Sequence, residues 1–575
     1  MSAVLTAQEP SAKYLAQLQP PLVQHFDLIA QAPGGVARLR ELILTLAVQG
    51  KLVPQDPNDE PASVLLQKIR AEKDRLIAEG KIKRDKPLAE IADEEKPFEL
   101  PQGWEWVRLG DVQSFTNGFA FKSTSFADEG VGVVRIGNVH HGEITEKGMV
   151  YLPFELSEKV DHQFFIAPND LVITMTGDVK LGFNKSSNRY LLNQRVGKMT
   201  PILVDPSYLV FCLELVAEKK IEEASGSVIP NVSTGEINAT PFALPPLAEQ
   251  SRIVTRVEEL MQLCDALEAS GQLEAQQHAQ LVSTLLGTLT QSETPEALAD
   301  NWQRIATHFD LLLDRPEAVD ALEQTILQLA VRGLLVPQDP TDEPASILLQ
   351  KIRTEKDHLI AQGKIKRDKP LPPITDEEKP FELPQGWEWA MVGNVADTNT
   401  GFAFKSSEYK SQGTLVFRVT NIRPDGSVDL SDSKFIDPVL AQTTYKSFQL
   451  QAGDVLLVMV GGSLGKIGLV DEKCLPAVLN QNMWKLVIDK NIDREFFVLC
   501  IRYINQYQLK VTNSTHGHLA QGQYLQKLLG LPPLAEQSRI VSRVNELGAL
   551  CADLRQSLIA AQSTQGHLAD ALIAG

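Results

Sequence analysis

The chain has 575 residues, 43 % hydrophobic and 22 % charged, an ordinary globular composition that is too long for one core and predicts about three to five domains. It holds no run of about 18 apolar residues and does not open on a basic-then-apolar segment, so neither a membrane span nor a secretory leader is expected. A net charge of −18 speaks against generic polyanion binding, and five cysteines without a CxxC pair speak against a metal site or a disulfide framework and fit a reducing cytoplasm.

The elements come in two copies. Residues 46–112 return as 329–395, with 53 of 67 positions identical, and LPPLAEQSRIV at 244–254 returns unchanged at 531–541. Such long-period similarity fixes the architecture before any other reading. In the first copy Leu39, Leu42, Ile43 and Leu46 fall at helical spacing, with Gly50 placed to end that helix. Pro61 then starts a second helix and Gly80 ends it. A basic KIKRDKP and an acidic linker lead to LPQGWEW, where a mixed domain opens; 131–139, 170–176, 414–422 and 454–460 read as its strands in the two copies. Each copy closes on a long helix. Ile253, Val257, Leu260, Cys264 and Leu267 form a heptad stripe, as do Ile540, Val544, Leu547, Cys551 and Leu554, with Gly271 a candidate break in the first. The stripes predict that the two helices pack on each other or on the helices near 61–79 and 344–362.

The expected fold is α+β. It has two α/β domains related by a pseudo-twofold axis and separated by long helices packed as an antiparallel coiled coil. Its parts are a helical region at 1–99, a first variable domain at 100–245, a central helical region at 246–382, a second variable domain at 383–532 and a terminal helix at 533–575. A twofold protein meets duplex DNA at two half-sites about 34 Å apart or somewhat more. Because the two variable domains differ, the expected site is split and asymmetric.

Candidate DNA-facing residues follow from what the domains share and where they diverge. Shared positions suit the phosphate backbone: Lys122 and Lys405 (each closing a GFAFK run), Arg135 and Arg418, and Asn138 and Asn421; Gln194 and Gln481 are shared as well and join the DNA-facing candidates. The shared phenylalanines read as core. Residues 179–204 carry Lys180, Lys185, Arg189, Arg195 and Lys198 and no acid, and 496–535 carry Arg502, Lys510, His516, His518 and Lys527 and no acid. Asn184, Arg423, Lys466 and Asn482 complete the set. Divergent positions are the candidates for base reading, with Arg suited to guanine and Asn or Gln to adenine.

The duplicated plan, the LPQGWEWVRLGDV opening and the PPLAEQSRIV run into a helix resemble the specificity subunits of type I restriction–modification systems, over nearly the whole chain. The resemblance implies two target-recognition domains, each reading half of a bipartite site. It implies helical repeats that space those domains and dock two methyltransferase subunits, with restriction and translocase subunits added for cleavage. It also implies no catalysis and no cofactor in this chain; S-adenosylmethionine, ATP and magnesium belong to the partners. The residues agree with that reading. No NPPY-like or DPPY-like motif is present, and Gly461–Lys466 fails the phosphate-loop spacing and ends in Ile467. The competing class is a protein-binding assembly scaffold that reads no DNA sequence.

Overall fold

The computed structural model describes residues 29–84, 87–177, 179–223, 232–292, 294–363, 370–423, 425–460, 463–509 and 519–574. Tertiary contacts divide the chain into two units, Met1–Glu274 with Gln562–Gly575, and Ala275–Ala561.

In unit 1, helix α1 (Gly35–Val48) buries Leu39, Leu42 and Ile43, and Gly50 just beyond it adopts a left-handed conformation. Glycine is required there twice over: by φ, and because a Cβ would lie 2.5 Å from Pro101 and 2.9 Å from Trp104. Helix α2 (Ala62–Ala78) follows Pro61 and buries Ala62, Leu65 and Ile69. The mixed domain opens with β1 (Glu105–Arg108) and β2 (Gln113–Asn117). It continues through β3 (Val131–Val134), β4 (Val139–His140), β5 (Gly142–Ile144), β6 (Val150–Leu152), β7 (Phe165–Ile166) and β8 (Leu171–Thr174). The last strands are β9 (Leu181–Phe183), β10 (Tyr190–Leu192), β11 (Val196–Pro201) and β12 (Pro241–Leu244). The strands form a β2-β11-β8-β9-β5-β4 sheet, a β6-β3-β10-β7 sheet, and a β1-β12 ribbon. That antiparallel ribbon, with Glu105 opposite Leu244, ties the entrance of the domain to its exit. Helices α3 (Pro206–Glu223) and α4 (Thr234–Ala239) precede the long α5 (Leu247–Thr290).

Unit 2 repeats the plan. Helix α6 (Pro295–Thr307) leads into α7 (Pro316–Arg332) and α8 (Ala345–Ala361), the counterparts of α1 and α2. The strands are β13 (Glu388–Met391), β14 (Ala396–Thr400), β15 (Thr414–Phe417), β16 (Lys434–Ile436), β17 (Val455–Val458), β18 (Ile467–Leu469), β19 (Ala477–Leu479), β20 (Met483–Ile488) and, after α9 (Arg494–Tyr503), β21 (Leu528–Leu531). Their sheets run β14-β20-β17-β18, β16-β15-β19 and β13-β21, the last again pairing Glu388 with Leu531. The long α10 (Leu534–Ala574) closes the chain.

The long helices have 44 and 41 residues, so at about 1.5 Å per residue each exceeds 60 Å, longer than the heptad stripes alone suggest. Helix α5 passes unbroken through Gly271, whose missing side chain faces open space. In unit 1, Ile253, Val257, Leu260 and Cys264 are buried with Leu39 and Ile43 of α1 and with Ala569 near the end of α10, while Leu267 packs on the margin. In unit 2, Val282, Leu286 and Leu289 of α5 are buried with Leu322, Ile326 and Leu329 of α7 and with Cys551 of α10, and Val544, Leu547 and Leu554 pack against that core. Ile540 is buried in a neighbouring core with Trp387. Within each unit, then, one long helix lies along its first helix and the far end of the other long helix completes the core. The four-and-three spacing produces this, because it keeps one apolar edge facing one way for several turns.

Candidate nucleic-acid interface

The letter-for-letter repeat is an internal clamp. Glu249 is 1 % exposed and accepts hydrogen bonds from the indole of Trp104 at 3.0 Å and the amide of Gln55 at 3.2 Å. In unit 2, Glu536 accepts from Trp387 at 3.1 Å and Gln338 at 3.2 Å. The adjoining Gln250 donates to the Pro245 carbonyl and accepts from the Asp205 backbone N–H; Gln537 does the same with Pro532 and Asp493. One dipeptide thus joins the long helix, the LPQGWEW opening, the VPQDP turn and the start of the helix after β11 or β20. Burial raises both glutamate pKa values above the ordinary range, against the opposing pull of their donors.

Each clamp holds a mixed domain that presents one recurrent turn. Between β10 and β11, the Gln194 N–H donates to the Phe119 carbonyl and the Arg195 carbonyl accepts from Met175. Between β19 and β20, Gln481 donates to Phe402 and Asn482 accepts from Met459. Arg195 and Asn482 both hold left-handed backbone, φ 66° and 72°. The neighbouring loops approach so closely that a Cβ at Gly118 or Gly401 would lie 1.9 Å from the carbonyl oxygen of Asn193 or Asn480. A rigid backbone therefore carries exposed side chains that are Gln and Arg in one domain, Gln and Asn in the other.

Comparison with known proteins decides the family. The family described as "Type I restriction modification DNA specificity domain" matches residues 101–276 and 384–561. The EcoAI specificity subunit of Escherichia coli is 38 % identical, with 94 % of this chain and 93 % of that one covered. The EcoEI specificity subunit of Escherichia coli is 35 % identical over the same shares. A crystal structure of the HsdS subunit from Thermoanaerobacter tengcongensis aligns with TM-score 0.38 at 18 % identity, covering 83 % of this chain and 97 % of that one. The chain belongs to the specificity subunits of type I restriction–modification systems.

In this specificity subunit the two mixed domains are the recognition domains, and their surfaces sort the residues expected to face DNA. Lys122, Lys185, Gln194 and Arg195 are exposed in the first domain, and Lys405, Gln481 and Asn482 in the second. Phe119, expected in the core, is 46 % exposed; it leans on Phe121 and Phe164 beside the Gln194–Arg195 turn and adds an aromatic face to that surface. Its counterpart Phe402 is half-buried against Phe404, Tyr445 and Phe448.

Other candidates are spent inside. Asn138 is 2 % exposed, accepting from the Arg135 N–H and donating to the carbonyls of Thr145 and Lys147. Asn421 is 1 % exposed and makes the matching bonds with Arg418 and Asp429. Asn184 is fully buried, holding Ser186 and Asn188 in its own turn. These three asparagines build turns and present nothing to a groove. Arg135 donates to the Gly148 carbonyl; Arg418 is engaged by Asp432, and Arg423 by Asp429 at 3.0 Å. Arg189 is exposed and lies 5.0 Å over the Phe165 ring. Lys198 donates to the Phe165 carbonyl beside Asp170. Lys180 and Lys466 occupy corresponding strand turns and are half-buried. In the 496–535 window, Lys527 donates to the Gln508 carbonyl. Lys510, His516 and His518, with parts of both KIKRDKP copies and Gly461 and Gly462, lie outside the described residues.

Proposed function

We propose that this subunit reads DNA without catalysing a reaction, each recognition domain reading one half of an asymmetric bipartite site. The helical repeats dock two methyltransferase subunits, and restriction and translocase subunits join for cleavage. S-adenosylmethionine, ATP and magnesium act in those partners, all in the cytoplasm. Methylation of a base inside a duplex requires that base to leave the stack, and the partner performs that step where this chain places it. No helix among the described residues is long and apolar enough to cross a membrane.

The observation that carries this reading is the recurrent turn. The same backbone, held by the same hydrogen bonds, carries Gln194–Arg195 in one domain and Gln481–Asn482 in the other. A common scaffold with unlike exposed donors and acceptors suits two unlike half-sites. Mapping methylated adenines in cells that express this chain with its methyltransferase tests it. The expected result is one split motif with two different halves; a palindromic motif, or none, overturns the reading.

A further inference from the structure

A pair of ion-pair clusters sits at equivalent places in the two units with its polarity reversed. In unit 1 the guanidinium of Arg40, on α1, lies 2.7 Å from Asp265 and 3.0 Å from Glu268 on α5. In unit 2 the guanidinium belongs to the long helix: Arg555 of α10 lies 2.7 Å from Asp320 and 2.8 Å from Glu323 on α7. By the two repeat offsets, Arg40 corresponds to Glu323 and Glu268 to Arg555, while Ala37 and Ala552 stand where the other copy has Asp320 and Asp265.

Most of the surrounding apolar surface is common to the two copies, although buried Leu42 stands where the other copy has buried Thr325, and Met261 where it has Gly548. Leu39 and Leu322, Ile43 and Ile326, Leu260 and Leu547, Cys264 and Cys551, and Leu267 and Leu554 are identical residues at equivalent positions. A surface shared to this degree discriminates only weakly between the two long helices, which leaves the charged residues at its edge to do so. A crossed pairing would set Arg40 against Arg555, and Glu323 against Asp265 and Glu268. Rejection of wrong partners by like-charge contact is what such an arrangement supplies.

We propose that this reversed polarity assigns α1 to α5 and α7 to α10, and so keeps a chain with duplicated helical segments from exchanging them within itself or with a second copy. Four side chains supply the discrimination: Arg40, Glu268, Glu323 and Arg555, with Asp265 and Asp320 reinforcing the acidic sides.

Full-length chain carrying a photoreactive residue at exposed Ala37, on the face that Asp320 uses in the other copy, tests this. Cross-linked peptides report whether α1 lies on residues 257–268 (own unit) or 544–555 (crossed). With native charges only the own-unit product is expected. The triple variant Arg40→Glu, Asp265→Ala, Glu268→Arg restores a local pair but gives both units the same polarity, so the crossed share should rise about tenfold, equivalent to about 1.4 kcal/mol. The mirror variant Asp320→Ala, Glu323→Arg, Arg555→Glu equalises polarity from the other side and should do the same, which covers a failure of the first to fold. Combining both sets restores opposite polarity and should return the crossed product to background. An unchanged own-unit ratio in the equalised variants, or a crossed product that persists when both sets are combined, overturns the proposal.

Discussion

Glu249 and Glu536 show what single residues contribute. Each is buried with two donors aimed at it, so its removal strands an indole N–H and an amide inside the protein. Glu249→Ala should cost about 1–3 kcal/mol, read as a lower melting temperature. Glu249→Gln keeps an acceptor for Trp104 and should cost less. The sign with pH is set by the raised pKa: the ionised carboxylate is disfavoured in the fold, so its contribution to stability is greatest below the ordinary glutamate pKa and is lost as pH rises through the folded value. Melting curves across pH 4–8 should therefore show the difference between wild type and Glu249→Gln moving in favour of the glutamine as pH rises. For the exposed side chains of the first recognition domain, Arg195→Ala or Lys185→Ala should weaken discrimination at the first half-site alone, measured by binding to oligonucleotides altered in one half at a time; equal loss at both halves contradicts the proposed reading. Asn138, Asn184 and Asn421 are consumed by backbone groups several residues away, and a residue type carries no record of that.

At the scale of elements, the long helices were legible because the apolar spacing is periodic and the polar positions between are solvated. Gly271 misled, since one glycine in a helix costs only about 1 kcal/mol and buried contacts on both sides outweigh it. Burial sets the effect of a charge on this stripe. Ile253 is fully buried and Leu273 is 55 % exposed on the same helix. Ile253→Asp should cost more than about 3 kcal/mol through lost packing and an unpaired buried carboxylate, whereas Leu273→Asp should leave melting nearly unchanged. Leu547→Asp, on the margin of the unit 2 core, should fall between them and disturb assembly with the methyltransferase, as read by sedimentation of the mixed subunits.

For the whole molecule, a net charge of −18 has to be reconciled with DNA. Several cations of the recognition domains are held by neighbouring carboxylates, among them Arg108, Lys198, Arg418, Arg423, Lys473, Lys485 and Lys490. The chain alone should therefore neutralise few phosphates, and its affinity should fall with salt along a shallower log–log slope than that of the complex with its methyltransferase, measured by titration between about 50 and 200 mM salt. An equal slope would place the whole phosphate contact on this chain.

The duplication, the helices with their stripes, the strand-rich domains between them and the family signature were all written in the order of residues, because periodicity and repetition are local or self-referential properties. Which polar groups meet solvent was decided only by the tertiary structure. Phe119 is exposed while its counterpart Phe402 is half-buried, and Glu249 is hidden although glutamate is ordinarily a surface residue. The reversed ion pairs are the clearest case: the four charges are plain in the sequence, but Arg40 lies 228 positions from Glu268, and only folding brings them within 3.0 Å and gives their signs a meaning. Burial and pairing depend on neighbours distant along the chain, and no local pattern carries them.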